Sequence, residues 1–328
     1  MKKKIALVTG GYSREAEISY KSAKTIETHI NRLLYDVFVI DITPEGWWYI
    51  PSNGQQQPVN KADFTIQESG TTIHFDAVLF CIHGTPGEDG KMQGYFDMLH
   101  LPYTSCDAAT SAITFNKRYT VAVVAFSGIS VAKSMHVFHH TPVTATEILQ
   151  TIQLPVFIKP NNGGSSIGMS KVNDAAELMP AIEKAFQEDN QVLVEEYIAG
   201  REFTIGVFKS EGNIIVLPIT EVMTEKDFFD FEAKYHGKSK EITPAIIPAE
   251  WQNKLEAAAR KVYEVLNCRG IVRMDFIFNE TRQAPYLLEV NTIPGQSEAS
   301  IVPQQVKAMG WSLQEFYTRL IEEAFNKY

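Results

Sequence analysis

IVRMDFIFNETRQAPYLLEVNTIPG, residues 271–295, is the stretch from which the fold and chemistry of this chain can be read. Apolar Val272, Met274, Phe276 and Phe278 alternate with Arg273 and Asp275, the period of a strand with one buried face. A second run follows a polar connection. In it Glu289 and Asn291 stand two residues apart, so they face the same way. Paired as a hairpin, the two strands can bring Asp275, Glu289 and Asn291 to one spot with Arg273 beside them. Two carboxylates and an amide oxygen form a hard, all-oxygen donor set that suits Mg²⁺ carrying nucleotide phosphates. The same spacing also describes the solvated polar face of an edge hairpin, and this stretch alone leaves both readings open.

The chain has 328 residues, more than one compact core usually holds, so two or three domains are expected. With 45% hydrophobic and 21% charged residues, its composition is that of an ordinary soluble protein. A net charge of −9 argues against a general nucleic-acid binder, because there is no basic surplus to neutralise phosphates. Cys81, Cys106 and Cys268 are far apart and form no CxxC, so they read as small buried residues in a reducing compartment. The opening lysines precede an apolar run too short for a secretory signal, and nothing approaches a membrane span. A cytoplasmic protein without membrane attachment is expected.

Ile5–Val8, followed by Thr9-Gly10-Gly11, predicts a buried strand, a tight turn and a helix from about Ser13 to His29. Val37–Ile40 and Ala77–Cys81 read as two further buried strands, and strands separated by helix-length segments indicate a parallel α/β layer. The polar connection Asp41–Gly70, with Trp47 and Trp48, reads as irregular. Ligands of such sheets gather beyond the carboxyl ends of the strands, where GGYSREAEIS (10–19) and HGTPGEDGKMQG (83–94) fall. Glu15 is either a carboxylate favoured by the helix dipole or one that grips a substrate ammonium. His83 either positions a substrate carboxyl or caps its strand, and Glu88 and Asp89 fit helix-start charges.

Small residues near Ser105–Thr114 suggest a domain crossing, and Asn116-Lys117 opens a helix to about Ser127. Ser130–Phe138 is strand-like, and Thr144-Ala-Thr-Glu147 has the form of a capping box. Leu154–Lys159 reads as a strand. The loop PNNGGSSIGMSKV after it offers backbone N–H groups and hydroxyls that can wrap phosphate oxygens, with Lys159 at its edge. A plain hairpin loop fits the same residues, and no GxxxxGK[ST] occurs. QVLVEEY (191–197) predicts a strand that runs into a hinge able to meet an adenine edge, with Tyr197 and Ile198 as walls and Glu202 placed for a ribose hydroxyl. An ordinary β-turn explains these residues equally well. Glu221–Ile247 is a long connection of mixed charge, the length of a lid, with Lys234 and Tyr235 as its candidate site residues. Helices are predicted over Glu250–Leu266 and near Leu313–Ala324.

Taken in order, these motifs resemble the ATP-grasp superfamily and, within it, the D-alanine–D-alanine ligase family. The resemblance rests on GGYSREAEIS, HGTPGEDGKMQG, LPYTS, IKPNNGGSSIGMSKV, VLVEEYIAGREFT, FEAKY, VRMDF and LLEVNTIPG, spread over nearly the whole chain. It implies a mixed α/β fold of three-domain ATP-grasp architecture. A parallel α/β substrate-binding domain would span residues 1–112, a central ATP-grasp subdomain 113–205, and a C-terminal catalytic domain with the lid loop 206–328.

The resemblance also implies residue roles. Lys117 and Lys159 would contact ATP, Lys159 at the phosphates, under a loop carrying Ser165 and Ser166. Glu195, Glu196, Tyr197 and Ile198 would line the adenine pocket, and Glu202 would hold the ribose. Asp275, Glu289 and Asn291 would hold Mg²⁺ or Mn²⁺, two ions. Glu15 would take the first substrate's ammonium, with His83 nearby and Arg273 and Gly295 facing the reacting carboxylate. Ser300 and Ile301 would bind the second substrate's carboxylate, and Lys234 and Tyr235 would close over the site. Glu15, Ser165, Tyr235, Arg273 and Ser300 are the catalytic candidates.

Tyr235 stands where relatives that use D-lactate carry a histidine. The chain departs from a familiar relative at Gln296–Ser300 (QSEAS for MTSHS), at Phe229 (a lid tyrosine) and at Glu196 (a lysine at the adenine hinge). The implied reaction joins two D-alanines through an acyl phosphate, for peptidoglycan precursors, with release of ADP, in a homodimer. A related carboxylate–amine ligase with another acceptor, such as D-lactate or D-serine, is the alternative. A nucleotide-binding module without catalysis would be expected to lack a metal ligand, and all three are present. A nicotinamide-dependent oxidoreductase fails at Tyr12, which stands where the second glycine of GxGxxG belongs.

Overall fold

The computed structural model describes residues 2–51, 54–141, 143–164, 166–224 and 239–326. Strand β1 (Lys3–Gly10) lies in a five-stranded sheet with β2 (Tyr35–Ile42), β3 (Trp47–Tyr49), β4 (Gln57–Pro58) and, beyond the small hairpin β5 (Ile66–Glu68)–β6 (Thr71–Ile73), β7 (Ala77–Phe80). The order is β4-β3-β2-β1-β7, with β1 parallel to both neighbours. The expected irregular connection over 41–70 is therefore corrected: it supplies antiparallel strands to the sheet edge. Its aromatics order it, since the Trp47 ring meets Phe64 and Tyr95 edge-on. Helices α1 (Ala16–His29) and α2 (Lys91–Met98) follow β1 and β7, so the two glycine motifs do sit beyond strand ends.

Helices α3 (Ala108–Phe115) and α4 (Lys117–Phe126) lead to an antiparallel sheet of β8 (Ser134–Phe138), β9 (Val156–Pro160), β10 (Ser170–Val172) and β11 (Gln191–Glu196), in the order β10-β9-β11-β8. Helices α5 (Ala145–Thr151) and α6 (Ala175–Phe186) supply Ile148, Leu178 and Ile182 to its core. Thr144 and Glu147 form the predicted capping box. Strand β8 begins four residues later than the strand-like run suggested.

The third sheet holds the opening stretch. Its strands are β12 (Arg201–Ser210), β13 (Asn213–Val216), β14 (Thr220–Thr224), β15 (Ser239–Ile242), β16 (Val272–Asn279) and β17 (Ala284–Asn291), in the antiparallel order β15-β14-β12-β16-β17 with β13 also on β12. The supposed lid connection thus starts and ends as paired strands, because Glu221–Thr224 and Ser239–Ile242 complete each other's ladder. Val272, Met274, Phe276 and Phe278 are fully buried against Leu255, Ala259 and Val262 of α7 (Ala249–Val265), as the alternation predicted.

Helix α8 (Ile301–Ala308) escaped the sequence reading because Pro303 argues against a helix; in the first turn, however, its missing N–H has no intrahelical partner to lose. The helix is pinned by Gln305. Strand β12 changes neighbours between Thr204, which pairs with β14, and Val207, which pairs with β13. In that gap the buried Gln305 amide accepts from Gly206 N–H (3.0 Å) and donates to the Thr204 carbonyl (2.9 Å) and Thr220 Oγ1 (3.1 Å), completing the ladder as a peptide would. Helix α9 (Leu313–Phe325) crosses back to β1: Phe316, Leu320 and Ile321 share one core with Ile5, Leu7 and Leu79.

Candidate active site

The hairpin β16–β17 sets Asp275 directly opposite Glu289 and Arg273 opposite Asn291, with a register shift between Asp275 and Phe276. Arg273 donates from Nε and Nη2 to the two Asp275 oxygens (3.0 and 2.9 Å) and from Nη2 to Glu289 Oε1 (3.3 Å). Thr204 Oγ1 donates to Asp275 Oδ1 (2.5 Å). Asn291 Oδ1 accepts from Ile293 N–H (3.0 Å), which fixes the turn into Pro294-Gly295. Asp275, Glu289 and Asn291 all line one cavity of about 380 Å³. Among the described residues no three His, Cys, Asp or Glu side chains form a metal cluster. Two carboxylates and an amide on one face are nonetheless an all-oxygen set, and its chemistry fits a hard divalent cation.

Another part of the same cavity's lining comes from the strand ends of the first sheet. Glu15 precedes α1 with helical backbone and no side-chain cap bond. Gly84 runs beneath it with φ +68°, where an added Cβ would lie 2.7 Å from Glu15 Oε2, so glycine is needed for close approach as well as conformation. His83 is buried, with Nε2 3.3 Å from Ser22 Oγ, which also accepts from Gln296 N–H (3.0 Å). Burial and the Arg273 charge push the His83 pKa down to about 4, against a hydrogen bond to Ile293, so the ring is neutral near pH 7. Sequence reasoning missed Glu88. Its Oε2 accepts from Gly84 N–H (3.1 Å), while Oε1 is buried, without a hydrogen bond among the described residues, and 4.0 Å from His83 Nδ1. Burial and the charge of Glu15 raise its pKa well above the carboxylate range. Glu88 is three residues before the helix start at Lys91, and only the packing of the turn turns it inward.

A second cavity of about 410 Å³ adjoins the first, and Lys117, Glu202, Asp275 and Glu289 line both. Lys159 and Glu195 project into it from β9 and β11 and form a buried ion pair (2.5 Å). Burial opposes the Lys159 charge, but Glu195, Glu289 and Glu202 outweigh it and leave its pKa raised. Glu195 is therefore a partner of the lysine, a role its expected place in the adenine wall did not include. Lys117 Nζ donates to the Gly163 carbonyl (2.7 Å), tying α4 to the glycine loop. Ser166, Glu196, Tyr197 and Ile198 line this cavity too, and Glu196 Oε1 accepts from Lys133 N–H (2.9 Å). Gly295, Ser300 and Ile301 line the first cavity around the start of α8. Ser165, Lys234, Tyr235 and Phe229 lie outside the described residues. Of the predicted site residues within them, all line one cavity or both.

Residues 4–106 match the family model described as D-ala D-ala ligase N-terminus, and residues 116–322 match D-ala D-ala ligase C-terminus. The chain belongs to the D-alanine–D-alanine ligase family. A family member from Flavobacterium johnsoniae, named D-alanine--D-alanine ligase, is 45% identical over 320 residues, covering 98% of each chain. One of the same name from Parabacteroides distasonis is 43% identical over 323 residues, also 98% of each. Among solved structures, the VanG D-Ala:D-Ser ligase from Enterococcus faecalis superposes with a TM-score of 0.88 at 32% identity, over 99% of this chain and 100% of that one. The ATP-grasp fold and ligase class expected from the motifs are borne out by these matches.

Proposed function

We propose that the chain joins two D-alanines into D-alanyl-D-alanine through an acyl phosphate, using ATP, for peptidoglycan precursor synthesis in the cytoplasm. What carries this is the common wall of the two cavities. Asp275 and Glu289 face both a cavity edged by Lys159 and the glycine loop and a cavity holding Glu15, His83 and Arg273. A nucleotide in the one can present its terminal phosphate to an amino-acid carboxylate in the other.

Glu15 takes the ammonium of the first D-alanine, and neutral His83 and Arg273 orient its carboxylate. That carboxylate attacks the γ-phosphorus, ADP leaves, and an acyl phosphate forms. The second D-alanine has its carboxylate held by Ser300 and the Ile301 N–H at the start of α8. It gives up one ammonium proton to a phosphoryl oxygen of the acyl phosphate and attacks the acyl carbonyl as the free amine. Its next proton is lost as the amide forms and phosphate leaves. Arg273 and the Gly295 N–H meet the oxyanion, and phosphate departs. Lys117 and Lys159 counter phosphate charge, Ser165 and Ser166 close the loop over it, and Glu196, Tyr197, Ile198 and Glu202 receive the nucleoside. Asp275, Glu289 and Asn291 would hold two Mg²⁺ or Mn²⁺ ions, which neutralise phosphate charge when bound. Lys234 and Tyr235 complete the lid that keeps water from the acyl phosphate. The division at 1–112, 113–205 and 206–328 and a homodimeric state belong to this reading. No helix among the described residues is long and apolar enough to cross a membrane.

The test is ADP release from ATP and Mg²⁺ with and without D-alanine, with mass spectrometry of the products. D-Alanine-dependent ADP release with D-alanyl-D-alanine appearing is the expected result. The likeness to a D-Ala:D-Ser ligase makes D-serine the second acceptor to offer. D-Alanine-independent turnover, or a mixed product formed in preference to the homodipeptide, would overturn the assignment.

A further inference from the structure

Glu241 lines the first cavity beside Ala299, Ser300 and Ile301, and no step above uses it. Its place is set by the sheet. Glu241 on β15 stands opposite Val222 on β14, and Val222 opposite Glu202 on β12, so the three form one row. Thr204 and Asp275 occupy the next row on the same face. Glu241 Oε2 accepts from Gln304 Nε2 (3.0 Å), and the same amide donates to the Ala299 carbonyl (2.9 Å). The carboxylate is thus tied to the backbone immediately before Ser300.

Charge decides what it can receive. Lys21, Lys117 and Arg273 face Glu15, Glu88, Glu202, Glu241, Asp275 and Glu289 across the cavity, and Arg273 is already bonded to Asp275 and Glu289. Burial raises the Glu241 pKa against Gln304 and Arg273, a cost that a cationic partner would relieve. In an α-amino acid the carboxylate and the ammonium are attached to one carbon, so their receptors must lie side by side. Ser300 and Ile301 with Glu241 beside them meet that condition.

We propose that Glu241 receives the ammonium of the second substrate, so that its negative charge favours an amino acid over a hydroxy acid as acceptor. This rests on the ligase reading above. Glu241→Gln keeps the shape and can still accept from Gln304, but removes the charge. The acceptor-site KM for D-alanine should rise about tenfold and the donor-site KM by less than about twofold, as a charged hydrogen bond becomes a neutral one. The preference for D-alanine over D-lactate, as kcat/KM, should fall by about the same tenfold, and Glu241→Asp should retain most of it. An unchanged acceptor KM and an unchanged preference in Glu241→Gln overturn the proposal, and so does an equal rise in both KM values. In the unaltered enzyme, D-lactate should show an acceptor KM at least about tenfold above that of D-alanine; equal values overturn the proposal without any variant. Failure of the unaltered chain to make D-alanyl-D-alanine would instead remove the ligase reading, and this inference with it.

Discussion

Replacing Gln305 by leucine tests how α8 is held to the third sheet. The change removes three hydrogen bonds from a fully buried side chain. Thr220 Oγ1 keeps its bond to Thr243 Oγ1 (2.6 Å), so it is not stranded. Gly206 N–H and the Thr204 carbonyl have no such reserve on that edge, because β13 and β14 diverge there. Each buried, unsatisfied group costs about 1–3 kcal/mol, so a net loss of roughly 2–5 kcal/mol is expected. The leucine fills the space of the amide, and Leu217 Cδ1 would lie 2.8 Å from a Cβ added at Gly206, so water has no easy way in. Denaturant titration gives the free energy, and at about 2–4 °C per kcal/mol the melting temperature should fall by about 4–20 °C. Ser300 and Ile301 open the same helix, so the acceptor KM should rise more than the donor KM. Gln305→Glu, which can accept from Gly206 but cannot donate to Thr204, should lose at least as much stability. A Gln305→Leu protein within about 0.5 kcal/mol of the parent would refute the ladder-completing role.

Glu289→Gln should cut turnover by at least ~10²-fold, as expected for the loss of one charge-stabilising group; near-parental activity would remove Glu289 from the metal assignment. Lys159→Met should weaken ATP binding and destabilise the fold, because Glu195, itself 5% exposed, is left without its cation. Adding Glu195→Gln should restore stability but not ATP affinity, and recovery of both would contradict a phosphate role for the lysine. His83 has a folded pKa of about 4, below its unfolded value of 6.5, so its contribution is present above pH 6.5 and is lost as pH falls toward 4. The loss approaches about 3 kcal/mol at the acid end. Glu88 is shifted the other way and stabilises toward acid. Denaturation of His83→Gln across pH 4–7 should therefore show a shallower acid decline than the parent, and parallel curves would count against a buried neutral imidazole.

Alternation made β16 and β17 legible, since a strand with one buried face writes its period directly into the sequence. The cap at Thr144 was legible because a cap is a local bond between near neighbours. The strands at Trp47–Tyr49 and Gln57–Pro58 were not, because at three and two residues they are too short to show a period, and the ring partners of Trp47, Phe64 and Tyr95, lie further along the chain. Helix α8 was hidden by a proline whose helical position only the structure reveals. Among site residues, the family motifs located those whose type and spacing are themselves the signal. Glu88 looked like a helix-start charge, and Glu241 fell inside what read as a lid. In each case burial and pairing across the fold make the difference, and neither is expressed in local spacing.

Helix α9 has a consequence for the order in which the molecule can be built. One face of β1 packs with Ile40, Val78 and Phe80 from its own sheet, but the other, through Ile5 and Leu7, packs with Phe316, Leu320 and Ile321. Tyr35 donates to Glu322 Oε1 (2.6 Å), a bond between residues 287 positions apart. A ribosome releases those partners well after the first sheet. Until then that side of the first sheet is only partly covered, by α1, so its final packing waits for α9 although its strands are made long before. A chain that stops short of α9 loses Phe316, Leu320 and Ile321 from the core that Ile5, Leu7, Ile26 and Leu79 share. The first sheet is therefore a client of α9, and truncations that remove α9 should first be felt as aggregation through that sheet.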